Sequence, residues 1–328
     1  MAQSHTVTWQ GAVVLESIPL TEQIHRVVLR PDARTRIEPG MHVDVRLEVG
    51  GESATRSYSV VERVGDDGAF ALSIMRTAVS RGGAAVMHAL RPGDRVEVTH
   101  PLQDFPFRHG APRYAFLAGG VGITAVLGMA RAARRAGADY RAVYCGRSRA
   151  AMAYLDELGD EHGERLEVHV GDEGTSIDVP EFVAGIAPGT ELYVCGPIRL
   201  MDAVRRAWDA SEHPNANLRF ETFGNSGWHE AQPFRVRVPN RGIDCVVPPD
   251  KTLLEALEES GADAMFDCRK GECGICEARV VSLAGDIDHR DVFYSERQKN
   301  ARSKMCPCVS RIRAAEGGEM PVVELQLS

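Results

Sequence analysis

The sequence predicts a multidomain protein in three parts: an antiparallel β-barrel or sandwich over residues 1–110, an α/β part with a parallel sheet over 111–226, and an α+β part over 227–328. Three observations predict this. At 328 residues the chain exceeds one ordinary core and suits domains of roughly 100 to 150 residues. Near Ala111 the apolar rhythm changes from period-2 alternation to strands interleaved with amphipathic helical stretches. Five of the eight cysteines fall between positions 268 and 308.

Composition narrows the class. Hydrophobic residues at 44% and charged residues at 26%, with no biased tract, describe a globular protein rather than a disordered or fibrous one. The balance of 38 Lys+Arg against 46 Asp+Glu gives a net charge of −8, which repels phosphate backbones and anionic lipid, so neither nucleic acid nor membrane is expected as a partner. The uncharged run "YAFLAGGVGITAVLGMA" at 114–130 falls short of the roughly 20 residues a span needs and carries four glycines, which suits a buried strand, a turn and a helix. "MAQSHTVTWQ" lacks the basic start and apolar stretch of a signal peptide, so a cytoplasmic location is expected, and there the cysteines read as ligands or reduced core thiols.

In the first part, "GAVVLESI", "HRVVLR", "HVDVRLEV", "YSVVERV", "FALSIM" and "DRVEVTHP" alternate apolar and polar residues between Gly, Pro and Asp turns, the pattern of antiparallel strands. In the second, "RYAFLAGG", "YRAVYCG", "RLEVHVG" and "TELYVCG" are apolar strands separated by helical segments such as "ITAVLGMARAARRAG", which implies crossover helices on a parallel sheet. The polar segment "NSGWHEAQP" at 225–233 reads as a linker. Beyond it "FRVRV" and "IDCVV" form a hairpin, and "TLLEALEESG" a short helix with Thr252 and Glu255 as a capping box and Gly261 as its stop.

Cys268, Cys273 and Cys276 have the C-x4-C-x2-C spacing of a plant-type [2Fe–2S] site, with a fourth ligand further on. Thiolates are soft ligands and two irons take four of them, so a tight loop can wrap one side of the cluster while a distant segment closes the other. Gly271 and Gly274 would let the backbone approach the inorganic sulfurs and aim N–H groups at them, raising the reduction potential. A structural zinc site is the competitor, but it usually comes as two C-x2-C pairs. Spacing leaves the fourth ligand open between Cys306 and Cys308. Such a cluster takes one electron at a time, so a nicotinamide donor would need a flavin to split the pair, and the N-terminal part is where a flavin would sit. In "AGGVGIT" at 118–124, Gly119, Gly120, Gly122 and Thr124 join a strand to a helix, where backbone amides and the helix dipole can hold a pyrophosphate.

"GDIDHRDVF" at 285–293 and the "VSR" that follows Cys308 resemble the C-terminal ferredoxin domain of the phthalate dioxygenase reductase and vanillate demethylase reductase family. The resemblance covers essentially the whole chain, in the order flavin barrel, nucleotide domain and β-grasp ferredoxin, and it favours Cys308 over Cys306. "RSYS" is similar to the R-x-Y-S motif of the ferredoxin reductase superfamily, which implies Arg56 on a flavin phosphate, Tyr58 packed on the flavin, Ser59 near N5 and Ser57 among the cofactor-binding residues. "SRGGA" resembles the glycine turn whose Arg81, Gly82 and Gly83 cradle a terminal phosphate, which suits FMN, with FAD as the alternative. "VCGPIRLM" resembles the superfamily's C-G-P motif and places Cys195, Gly196 and Pro197 at the nicotinamide. "FETFGN" implies Phe223 against the flavin. Arg147 and Arg149 in "CGRSR" could attract the extra phosphate of NADPH, although the family resembles NADH users.

The implied activity is that of an NADH-dependent, flavin and iron–sulfur reductase component, with Ser59, Cys195 and Phe223 at the hydride site and Cys268, Cys273, Cys276 and Cys308 on the cluster. Its implied partner is an oxygenase, Rieske-type or haem-thiolate, met by a monomer in transient contact near Arg269, Lys270 and Glu272. A redox sensor whose cluster state controls partner binding is the alternative, and a zinc-stapled binding module a third reading.

Overall fold

The computed structural model describes residues 7–77, 82–224, 226–314 and 318–327. The period-2 runs become β1 (Trp9–Pro19), β2 (Ile24–Pro31), β3 (Met41–Val49), β4 (Glu52–Val64) and β5 (Ala69–Met75), then helix α1 (Gly83–Ala89), β6 (Arg95–Thr99) and β7 (Leu102–Gln103). Their order is β4-β5-β2-β1-β6-β3-β7, and β3 also pairs with β4, which closes six antiparallel strands into a barrel. The long β3–β4 ladder, from His42 opposite Ser59 to Val49 opposite Glu52, decides barrel over sandwich. Closure leaves no exposed edge among those six strands. Ala12, Val14, Val27, Leu29, Val43, Val45, Phe70, Leu72 and Val98 fill the interior. A bulge between Val60 and Glu62 bends β4 just after Ser59.

The strand and helix rhythm that follows becomes β8 (Arg113–Gly119), α2 (Ile123–Arg135), β9 (Asp139–Gly146), α3 (Leu155–His162), β10 (Leu166–Val170), α4 (Val179–Ala184), β11 (Thr190–Cys195), α5 (Ile198–Asp209) and β12 (Leu218–Glu221). The sheet runs β10-β9-β8-β11-β12, with every pairing parallel. Tyr114 through Gly119 are all buried, as a central strand covered on both faces requires. Strand order reverses between β8 and β11, so the loops after these two strands flank a crevice at their carboxyl ends. Among the described residues no helix is long and apolar enough to cross a membrane.

The third part contains β13 (Phe234–Val238), β14 (Ile243–Val247), α6 (Leu253–Glu259), β15 (Ala278–Ala284), β16 (Asp286–Asp288), α7 (Glu296–Ala301), β17 (Lys304–Met305), β18 (Arg311–Arg313) and β19 (Val322–Gln326). A five-stranded sheet, β14-β13-β19-β15-β17, sets the last strand parallel to β13, and β16 pairs with β18 alone. This hairpin, helix and returning strand give the β-grasp plan. Thr252 and Glu255 form the capping box the sequence implies at the start of α6. That helix lays Leu253, Ala256 and Leu257 on Phe234, Val236, Val323 and Leu325. Each Leu, Val and Phe among them contributes about 1.5–3 kcal/mol on burial.

The chain divides into two compact units, one running to Gly196 and including Ala203–Glu221, the other made of Pro197–Asp202 and the chain from Thr222 on. The first unit holds both the barrel and the parallel sheet. The segment expected as a linker is fastened within the second. There Trp228 donates to Asp288 and Asp202 at 3.2 and 3.3 Å, and a Cβ on Gly227 would stand 2.3 Å from the guanidinium carbon of Arg290.

Candidate cofactor sites

Strand β4 carries the first group of residues. Arg56 is half-buried and lies along Gly83, where a Cβ would come 2.8 Å from Arg56 Cγ. Gly82 sits at φ +80°, and a Cβ there would meet Val49 Cγ1 at 2.3 Å, so this turn admits only glycine. Arg81 lies outside the described residues. Tyr58 packs against the barrel core, and Ser57 faces outward with its hydroxyl on Asp44. Ser59 is buried and donates to Glu221 Oε2 at a long 3.4 Å. Glu221 ends β12 and is only 3% exposed. Unlike Phe223, this acid belongs to no motif, and only its place at the carboxyl end of a parallel strand marks it in the sequence. Ser59, Glu221 and Cys195 fall in the first compact unit and Phe223 in the second.

The glycine turn and the C-G-P motif meet. Gly119 closes β8, Gly120 adopts φ +54°, and Ala118 is in register with Cys195 of β11. A Cβ on Gly122 would stand 2.2 Å from Cys195 O and 2.9 Å from Gly196 N. Any side chain there would part the two motifs. Thr124 is buried and donates back to Val121 O at 2.9 Å, which ties the turn together. Cys195 is fully buried, and Pro197 begins the segment assigned to the second unit. Arg149 is held by Glu173 through two hydrogen bonds of 2.6 and 2.9 Å, whereas Arg147 is exposed.

In the second unit the cysteines draw together in two groups, Cys268 with Cys273, and Cys276 with Cys306 and Cys308. Cys276 and Cys308 Sγ are 3.3 Å apart. Side-chain hydrogen bonding with Cys306 and Cys308 holds the Cys276 thiol down to about 3. Two sulfur pairs are what two tetrahedral irons require, and the donor set fits a [2Fe–2S] cluster. The backbone N–H groups of Lys270 and Glu272 point at Cys268 Sγ, both at 3.4 Å, and that of Gly271 at Cys308. Gly271 and Gly274 have φ of +77° and +73°. A Cβ on Gly271 would meet Val309 Cγ2 at 2.6 Å, and one on Gly274 the Phe293 ring at 2.3 Å. Close packing as well as backbone shape therefore demands glycine. Cys308 neighbours Cys268 and Gly271, while Cys306, fully buried, neighbours Asp291 and Tyr294.

The charges expected to form a docking face are partly engaged inside the unit. Arg269 pairs with Glu258 and stacks over Phe266, its guanidinium 3.8 Å from the ring centroid. Glu272 Oε1 accepts from Thr222 N and Oγ1 at 2.7 and 2.9 Å. The loop and its flanks expose the apolar side chains Met265, Phe266, Ile275 and Phe293 beside the charged Asp263, Asp267 and Arg269.

Comparison with known proteins agrees with this geometry. Residues 236–313 match the model of the 2Fe-2S iron-sulfur cluster binding domain, and residues 15–107 that of the oxidoreductase FAD-binding domain. The phthalate 4,5-dioxygenase oxygenase reductase subunit of Pseudomonas putida is 34% identical over 284 residues, 84% of each chain. The crystal structure of phthalate dioxygenase reductase, described as modular for electron transfer from pyridine nucleotides to [2Fe–2S], superposes with TM-score 0.72 at 28% identity, covering 97% of this chain and 98% of that one. An intact type IV self-sufficient cytochrome P450 monooxygenase aligns with TM-score 0.64 at 34% identity, covering 97% of this chain and 41% of that one. The chain thus belongs to the phthalate dioxygenase reductase and vanillate demethylase reductase family of electron-transfer oxidoreductases, which join a flavin domain, a nucleotide domain and a plant-type [2Fe–2S] domain.

Proposed function

We propose that the protein is the NADH-dependent, FMN-containing reductase component of an oxygenase, with domains at 1–110, 111–226 and 227–328. The observation that carries this reading is the meeting of three cysteine sulfurs of a glycine-shaped loop with that of the distant Cys308, in one chain with the R-S-Y-S strand and the Gly122–Cys195 junction. Bound flavin accepts a hydride from nicotinamide and passes electrons singly to an iron–sulfur centre. The chain's own residues bind and orient. Arg56, with Gly82, Gly83 and Arg81, holds the flavin phosphate, and the placement of Arg56 against Gly83 supports this. Tyr58 packs on the flavin and the Ser59 hydroxyl, backed by Glu221, serves N5. Gly119, Gly120, Gly122 and Thr124 form the pyrophosphate turn, and Cys195, Gly196 and Pro197 border the nicotinamide. Phe223 covers the flavin. Cys268, Cys273, Cys276 and Cys308 are the ligands, and the direction of Cys308 toward Cys268 and Gly271 supports it over Cys306. The engagement of Arg149 by Glu173 supports NADH over NADPH.

We assign the acceptor to a Rieske-type or haem-thiolate oxygenase, reached in transient contact by a cytoplasmic monomer. The deciding experiment is anaerobic purification followed by a visible spectrum and metal analysis. Flavin and iron–sulfur absorption bleached by NADH, with two irons and two sulfides per chain, is expected on the stoichiometry of a [2Fe–2S] centre. A colourless, zinc-containing protein overturns the reading. Mass spectrometry of the released flavin distinguishes FMN from FAD.

A further inference from the structure

The stretch that identified the third part, Asp288–His289–Arg290–Asp291, has no role in the assignments above, yet all four side chains are buried. The short ladder of β16 with β18, in which Asp288 faces Arg311, brings it alongside the segment that follows Cys308. Arg290 is consumed structurally, paired to Asp288 at 2.7 Å and donating to His229 O at 2.9 Å. Asp291 is different. Its carboxylate is fully buried and accepts from Tyr294 N at 2.9 Å, His289 Nδ1 at 3.1 Å and Ser310 Oγ at 3.2 Å. The ammonium of Lys299, which also bears on it, is itself 3.0 Å from Asp202. Burial opposes the charge, but these donors outweigh it and hold the carboxyl below its ordinary range, so it stays an anion.

Asp291 also touches the ligand loop. A Cβ on Gly271 would lie 3.0 Å from Asp291 Cα and 3.2 Å from its Cβ, and the next residue, Val292, donates its N–H to Gly271 O at 3.0 Å. A fixed negative charge is thus packed in a low-dielectric interior directly behind the loop between Cys268 and Cys273. Reduction adds one electron to a cluster already surrounded by thiolates, and a nearby anion opposes that step through Coulomb repulsion that burial leaves poorly screened.

We propose that Asp291 is a positioning and potential-setting residue, whose buried carboxylate keeps the reduction potential of the cluster low while its backbone braces Gly271. This rests on the iron–sulfur reading of Cys268, Cys273, Cys276 and Cys308. Ser310, two residues past Cys308, tunes the same charge by donating to it.

The test is a redox titration of the full-length holoprotein, reading the cluster by its electron paramagnetic resonance signal, beside iron and sulfide content per chain. Asp291→Asn, which keeps shape and removes charge, is expected to retain iron and sulfide and to titrate at a higher potential than the wild type. An unchanged or lower potential with the cluster intact overturns the proposal. Should Asp291→Asn assemble no cluster, Ser310→Ala decides: with one donor removed the anion is less compensated, so a lower potential is expected and an unchanged or higher one overturns the proposal. Absence of iron and sulfide from the wild type would instead refute the underlying reading, so the two failures are distinguishable.

Discussion

Single atoms separate neighbouring residues that the sequence leaves equivalent. Cys306 and Cys308 are two positions apart and both buried, but only Cys308 turns toward Cys268 and Gly271. Cys308→Ser is therefore expected to lose most bound iron and sulfide, while Cys306→Ser retains the cluster, as chemical analysis of both purified variants would show. Ser59 meets Glu221 across the barrel and the parallel sheet. Ser59→Ala should leave flavin content unchanged and slow NADH-driven flavin bleaching by roughly tenfold or more, the scale of one lost hydrogen bond of about 1.4 kcal/mol, measured by stopped flow. Glu173→Gln releases Arg149 from its fork. The ratio of kcat/KM for NADPH over NADH should then rise a few-fold, since a freed guanidinium favours an added phosphate.

Elements are joined by charge as well as by apolar contact. Arg131 of α2 donates to Glu62 of β4 at 2.7 Å and to Glu161 of α3 at 2.8 Å, and also pairs with Glu157, while only 11% of its side chain is exposed. Glu62 is shared with Arg26 of β2 at 2.8 Å. Beside this network α2 approaches β4 so closely that a Cβ on Gly128 would come 3.2 Å from Val61 O. The strand bearing R-S-Y-S and the helix that follows the glycine turn are thereby locked together. Arg131→Met should cost about 1.5–3 kcal/mol in denaturant unfolding, because it removes charge-assisted hydrogen bonds from Glu161 and Glu157 and leaves Glu62 to Arg26 alone. Removing the exposed Arg149–Glu173 pair should leave the unfolding midpoint essentially unchanged, since solvent screens it. The helices, strands and capping box were legible because periodicity and caps are local. The Arg131 network was not, since its members lie in three elements and each alone reads as a solvated charge.

At the scale of the molecule, electron delivery should follow the surface around the cluster loop. Because Arg269 and Glu272 are engaged internally and Met265, Phe266, Ile275 and Phe293 outnumber the exposed acids Asp263 and Asp267 beside them, acceptor binding is expected to depend weakly on salt. Raising ionic strength from about 0.01 to 0.15 M, which shortens the Debye length from about 30 to 8 Å, should change the rate of acceptor reduction by less than about threefold. A steep fall would restore a charged docking face. The order of the parts, the C-x4-C-x2-C loop, the glycine turn and the R-S-Y-S strand were determined by sequence alone, because each depends on residue type at short, fixed spacing. The β3–β4 ladder bears out the barrel that the family resemblance implies, whereas tertiary structure alone decided the contact of Gly122 with Cys195, the direction of Cys308, and the places of Glu221, Arg131 and Asp291. These depend on which distant strands pair and which side chains share a buried space, and that is fixed only when the whole chain has packed.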